Sequence, residues 1–106
     1  MTSVCAVLIT APDAEWLTSF VRGLVSDRLC AVAHVSPIQS IYRWNGEVHD
    51  TSEALATLRT VKDRVPEIIA RTRSEHPYEV PSIIAIPIYD ATDAYRAWII
   101  EQVSPE

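Results

Sequence analysis

Apolar and polar residues alternate along this chain in patterns that predict seven elements. Residues 4–10 form an unbroken apolar run of strand length, rich in Val and Ile, as expected of a buried strand. Pro12-Asp13 ends it, and Asp13 is suited to cap the helix that follows. Trp16, Leu17, Phe20, Val21, Leu24 and Val25 then recur at helical spacing, the clearest amphipathic stripe in the chain. Residues 30–35 read as a second strand. Ser36-Pro37 interrupts it with a residue that lacks a ladder donor, so a bulge or bend is predicted there before the strand resumes over 38–44. Asn45-Gly46 is a strong hairpin signal, because both central positions of a type I′ turn need positive φ. Glu47–Val61 returns as the partner strand. Glu47, His49, Thr51, Glu53, Thr57 and Arg59 fall on one face, and Val48, Ala54, Ala56 and Leu58 on the other. That alternation implies one wet and one covered side, with Leu55 and Val61 as exceptions free to touch a neighbour.

Val65, Ile68, Ile69 and Thr72 predict a second helix, with Pro66 tolerated in its first turn and His76-Pro77 closing it. Residues 83–88 read as another strand. A last helix, capped by Asp90 or Thr92, presents Tyr95, Trp98, Ile99 and Gln102. The order β-α-β-β-α-β-α describes an α+β chain: a ferredoxin-like βαββαβ unit with an additional C-terminal helix. Two helices are expected on one face of a four-stranded antiparallel sheet, the other face being left bare. The middle strands are unusually long. A long hairpin beside a bare sheet face invites pairing with other chains.

Composition sharpens this. The 106 residues read as one domain spanning 1–106. At 48% hydrophobic, with three Trp and four Tyr, they hold more apolar surface than one small core needs. Fourteen acidic against nine basic residues leave a net charge of −5, which disfavours non-specific binding to nucleic acid or an anionic membrane. The apolar start lacks a basic flank and is too short to span a bilayer. It reads as a strand of a cytoplasmic protein. Cys5 and Cys30 cannot build a disulfide framework and read as small buried hydrophobes.

Two segments stand out chemically. Ser40-Ile41-Tyr42-Arg43-Trp44-Asn45-Gly46 sets aromatic residues around an arginine at the hairpin tip, either as a ligand platform or as cross-strand packing. His76-Pro77-Tyr78-Glu79-Val80-Pro81 crowds His, Tyr and Glu into four residues held stiff by two prolines. His76 there is a candidate metal ligand or proton carrier, or simply a partner of the helix C-terminus. His34, His49 and His76 show no ligand spacing, and no Gly-rich phosphate loop or nucleophile motif is present.

Together these segments resemble the CutA family of divalent-ion tolerance proteins. Thr10-Ala11-Pro12, Asp27-Arg28-Leu29, Pro37, the Ser40–Gly46 block, the His76–Pro81 block, Ile84-Ala85-Ile86-Pro87-Ile88, Tyr95 and Trp98-Ile99 carry the likeness, from residue 8 to residue 99. The resemblance implies a homotrimer of ferredoxin-like subunits, similar in architecture to the PII signalling proteins. It also implies a tie to tolerance of copper and other divalent ions, and no assigned reaction. On this reading Arg43, Trp44, His76, Tyr78 and Glu79 line a cleft between subunits, with Tyr42, Arg59 and Trp98 nearby. Arg43 would hold an anionic group, and Glu79 would accept a hydrogen bond or ligate a cation. A divalent metal such as copper or a small molecule is the implied ligand, with His76 the one carried-over metal candidate. Departures fall where the family is linked to metal. Ile9 stands at a cysteine position of some relatives. Val32 and His34 replace a cysteine and an asparagine, Arg59 a lysine, and Ser82 a glutamate, so a soft thiolate ligand is lost. The alternatives are a structural trimer without ligand and an enzyme acting on a small carboxylate.

Overall fold

Local chemistry explains most element boundaries in the computed structural model, which describes residues 3–105. Strand β1 spans Val4–Ala11, followed by helix α1 over Ala14–Ser26. The Asp13 carboxylate accepts from the amides of Glu15 and Trp16, satisfying two donors that a helix start leaves without intrahelical partners. The other end of α1 closes on Arg28 at φ 60°, where the Arg28 amide donates to Val25 and the Leu29 amide donates back to Leu24. This pair of bonds is a Schellman stop, with arginine in the left-handed position that glycine usually takes. It turns Leu29 and Cys30 into the core, so β2 begins at Val32 rather than at residue 30.

Strand β2 spans Val32–Trp44 and β3 Glu47–Val61, joined through Asn45 (φ 51°) and Gly46 (φ 78°). Their ladder runs unbroken through Ser36–Leu55, Pro37–Ala54 and Ile38–Glu53, so the bulge expected at Ser36-Pro37 does not form. The reason is placement. The sheet order is β2-β3-β1-β4, which makes β2 an edge strand. An edge strand turns every second amide away from the sheet, and proline there costs no ladder bond. After a short 3-10 turn over Lys62–Arg64, helix α2 spans Val65–Glu75, β4 spans Ile83–Pro87, and α3 spans Asp93–Val103, capped by the Thr92 hydroxyl.

All sheet neighbours are antiparallel, and the order is that of the ferredoxin-like fold. Helices α1 and α2 cover the face formed by Val7, Ile9, Ala11, Ala54, Ala56 and Leu58, where Leu17, Leu24 and Ile68 complete the core. Burying one such Leu or Ile side chain contributes about 1.5–3 kcal/mol. The opposite face is not wholly bare. Helix α3 lies over one end of it, packing Ile99 and Val103 on Val4, Ala31 and Val61. Two arginines hold it there. Arg28 donates to the Gln102 carbonyl at 3.0 Å, and Arg64 donates twice to the Val103 carbonyl at 2.6 and 3.0 Å. Both act on helix-end carbonyls that have no intrahelical donor. This contact accounts for Val61, one of the two residues that break the β3 alternation.

Cys5 and Cys30 are buried free thiols, and burial pushes Cys30 up to about 12. The ladder between β1 and β3 ends at Ala11–Ala54. Beyond it the two long strands continue as a free hairpin, giving the chain its elongated 44 × 25 × 21 Å shape.

Candidate functional site

The hairpin overhang, the end of β1 and the loop over residues 76–82 enclose a cavity of about 540 Å³. Tyr42, Trp44 and Glu53 come from the hairpin, Thr10 from β1, and Tyr78, Glu79, Val80 and Ser82 from the loop. The ladder explains the hairpin's contribution. Tyr42 pairs with His49, Trp44 with Glu47 and Ile38 with Glu53, and residues paired across a ladder share a face. All of these therefore point away from α1 and α2. Tyr42 is stacked on His49 at 5.4 Å.

His76 seats the loop. It is only 8% exposed. Nε2–H donates to the Thr10 carbonyl at 2.7 Å, and Nδ1 accepts from the Tyr78 amide at 3.0 Å. A carbonyl only accepts and an amide only donates, so these partners select the Nε2–H tautomer. The edge of Trp16 and the tilted ring of Tyr78 close around the imidazole at 5.2 and 5.1 Å. The loop is then fastened to the hairpin, because the Tyr78 hydroxyl donates to Glu53 Oε2 at 2.9 Å. Burial first, and then that bond and the Glu53 charge, push Tyr78 up to about 12.

That shift predicts a titration. Phenolate absorbance should show one tyrosine ionising near pH 12. Glu53→Gln should lower the value while leaving it above the usual 10, since burial remains the larger cause. Because the folded value lies above the unfolded one, the associated stability is present below pH 10 and lost between about 10 and 12. An unchanged titration in Glu53→Gln would remove the Tyr78–Glu53 contact from the site.

The candidate residues separate in space. Tyr42, Trp44, Tyr78 and Glu79 come together in the cavity. Arg43 does not line it: it pairs with Val48 on the other side of the hairpin, one residue out of step with Tyr42 and Trp44. The expected role of Arg43 in holding an anion in the cleft therefore has no counterpart within this chain. Arg59 lies further along β3, paired with Val32 and Ala6. Trp98 is stacked on Tyr95 in α3 at 5.6 Å. Neither lines the cavity. Glu53 and Thr10 belong to the site but were not among the candidates. Counting back from the Asn45-Gly46 turn would have placed Glu53 on the Tyr42 face, whereas nothing local points to Thr10.

The chemistry of the donors bears on a metal. Both ring nitrogens of His76 are engaged, so ligation there would displace a backbone hydrogen bond. Burial raises both thiols, which disfavours the thiolate that a soft ion needs. Among the described residues, no group of three or more His, Cys, Asp or Glu converges. The described donors of this chain thus do not fit a transition-metal ion such as copper. No helix among the described residues is long and apolar enough to cross a membrane.

Comparison with known proteins places this geometry. Residues 5–102 match the family model described as CutA1 divalent ion tolerance protein. The chain is 38% identical over 96 residues to the divalent-cation tolerance protein CutA of Thermus thermophilus, covering 90% of this chain and 93% of that protein. It is 36% identical over 97 residues to the protein CutA of Bos taurus, covering 92% of this chain and 55% of the relative, so it spans about half of that protein's length. The solved structure of the Thermus thermophilus divalent cation tolerance protein superposes with a TM-score of 0.91 at 36% identity, covering 95% of this chain and 99% of that one. The structure of the periplasmic divalent cation tolerance protein CutA from Archaeoglobus fulgidus superposes at 0.92 with 28% identity, covering 95% and 99%. The Thermus thermophilus and Archaeoglobus fulgidus proteins are named for divalent-cation tolerance. With its sheet order, its long hairpin and nearly its whole length matched, the chain belongs to the CutA1 divalent ion tolerance family.

Proposed function

We propose that this protein is a non-catalytic, homotrimeric divalent-cation tolerance protein that binds a small effector, in preference to a coordinated copper ion, in the cleft between the hairpin and the 76–82 loop. The observation that carries this is the cavity itself. It is walled by three aromatic rings and two carboxylates, and one of its sides is a strand pair that has outrun its own sheet. Such a hairpin is stabilised by packing on another copy. Two further observations support self-association. Ile41, Val48, Ile84 and Ile86 are exposed apolar side chains on the sheet. On β3, Arg59 Nη1 and Thr51 Oγ1 are buried without a hydrogen-bond partner, as groups whose acceptors lie on a neighbouring chain would be. The three-copy stoichiometry follows the family resemblance.

Sedimentation equilibrium at micromolar concentration tests the assembly. The expected mass is three times the 11.9 kDa of one chain, and a folded monomer would refute the assembly. Calorimetry tests the cleft. A small effector should bind saturably and lose affinity in Glu79→Ala, whereas divalent copper should give equal heats with the native protein and with His76→Ala. A copper heat that disappears with His76 would reinstate that residue as a ligand.

A further inference from the structure

We propose that the effector taken by the cleft is an organic cation, a molecule carrying an alkylated ammonium group, and not an anion or a bare metal ion. This rests on the reading of the cleft as a ligand site and names the chemistry that the site selects.

Charge gives the first argument. Glu53 and Glu79 line the cavity, and no Lys, Arg or His among the described residues does. The nearest candidate cation by sequence, Arg43, faces the other side of the hairpin. The remaining polar side-chain groups are hydroxyls and the Trp44 indole N–H, which carry no charge to offset the carboxylates. An anion would meet two like charges and no counter-charge.

Aromatic geometry gives the second. Tyr42, Trp44 and Tyr78 line the cavity and are 40%, 48% and 37% exposed in the single chain. Electron-rich ring faces attract a cation, and most strongly one with weak hydration, such as an alkylated ammonium. Two of the rings are braced, Tyr42 by His49 and Tyr78 by Glu53, so the box is organised before a ligand arrives. Glu53 commits one oxygen to Tyr78 and itself lines the cavity.

Size and ligand count give the third. A metal ion needs several converging donors, and two carboxylates walled by aromatic rings do not supply them. A cavity of about 540 Å³ lies in the range of sites for organic molecules, ~300–1,000 Å³.

Choline and its neutral carbon analogue 3,3-dimethylbutan-1-ol have nearly the same shape and differ in charge. Calorimetry on the native assembly should show choline binding at least about tenfold more tightly than the neutral analogue. The choline affinity should fall at least about tenfold in Trp44→Ala and in the Glu53→Gln/Glu79→Gln double variant, each checked for native circular dichroism. Equal binding of the two compounds would overturn the cation chemistry, a comparison that needs no variant. Binding of acetate or phosphate without choline would do the same while leaving the cleft as a ligand site. Divalent copper that binds, and is lost in the double variant, with choline silent, would overturn only this inference. Silence from every probe would overturn both the inference and the reading it rests on. A crystal of the assembly with a lysine or arginine of a second copy filling the box would also overturn it.

Discussion

Replacing His76 with alanine is expected to lower the stability of the folded chain by about 2–4 kcal/mol, a loss large enough to show as a fall of roughly 10–25 °C in melting temperature. The ring joins two backbone groups from distant parts of the chain, the carbonyl of Thr10 and the amide of Tyr78. A buried backbone group left without its partner costs about 1–3 kcal/mol. Alanine orphans both and also removes ring contact with Trp16 and Tyr78. Glutamine keeps an amide donor within reach of Thr10 and should recover part of the loss. The same change should weaken ligand binding, because Tyr78 and Glu79 follow the loop that His76 anchors. Urea unfolding at matched protein concentration is the measurement. A loss below about 0.5 kcal/mol, the scale of an ordinary surface substitution, would show that the bridge contributes little.

Shortening the hairpin should turn the proposed assembly into folded monomers. Deleting residues 40–43 together with 48–51 removes four from each arm, keeps the Asn45-Gly46 turn, and leaves the faces in step, since side chains alternate with period two. The main core involves no residue of the removed segments. The subunit should therefore keep its native circular dichroism and lose self-association. It should also lose the cleft, because Ser40, Ile41 and Tyr42 line it. Light scattering coupled to size exclusion reads the first outcome and calorimetry the second. A trimer that survives the deletion would place the contacts elsewhere, on the face carrying Ile84 and Ile86. A chain that fails to fold would show that the overhang contributes to the subunit's own stability, contrary to its absence from the core.

The elements whose signals are local were legible without a structure. The 3.6-residue stripe from Trp16 to Val25, the Asp13 cap and the Asn45-Gly46 turn each depend on neighbours within a few positions. Pro37 misled because its effect depends on strand order: disruptive in a central strand, it is silent at an edge. The side on which α3 docks was equally hidden. It is set by Arg28 and Arg64 reaching the last carbonyls of α3 from remote positions.

The site divides in the same way. The sequence by itself determined the family, the hairpin register and the clustering of His76, Tyr78 and Glu79, because all three rest on short-range spacing. Tertiary structure alone decided that His76 engages the backbone through both nitrogens, and which residues wall the cleft, so that Arg43 is left out while Glu53 and Thr10 join it. The physical reason is that hydrogen bonds and cavity walls are made between residues tens of positions apart. Their partners are chosen by how the strands stack and the helices dock.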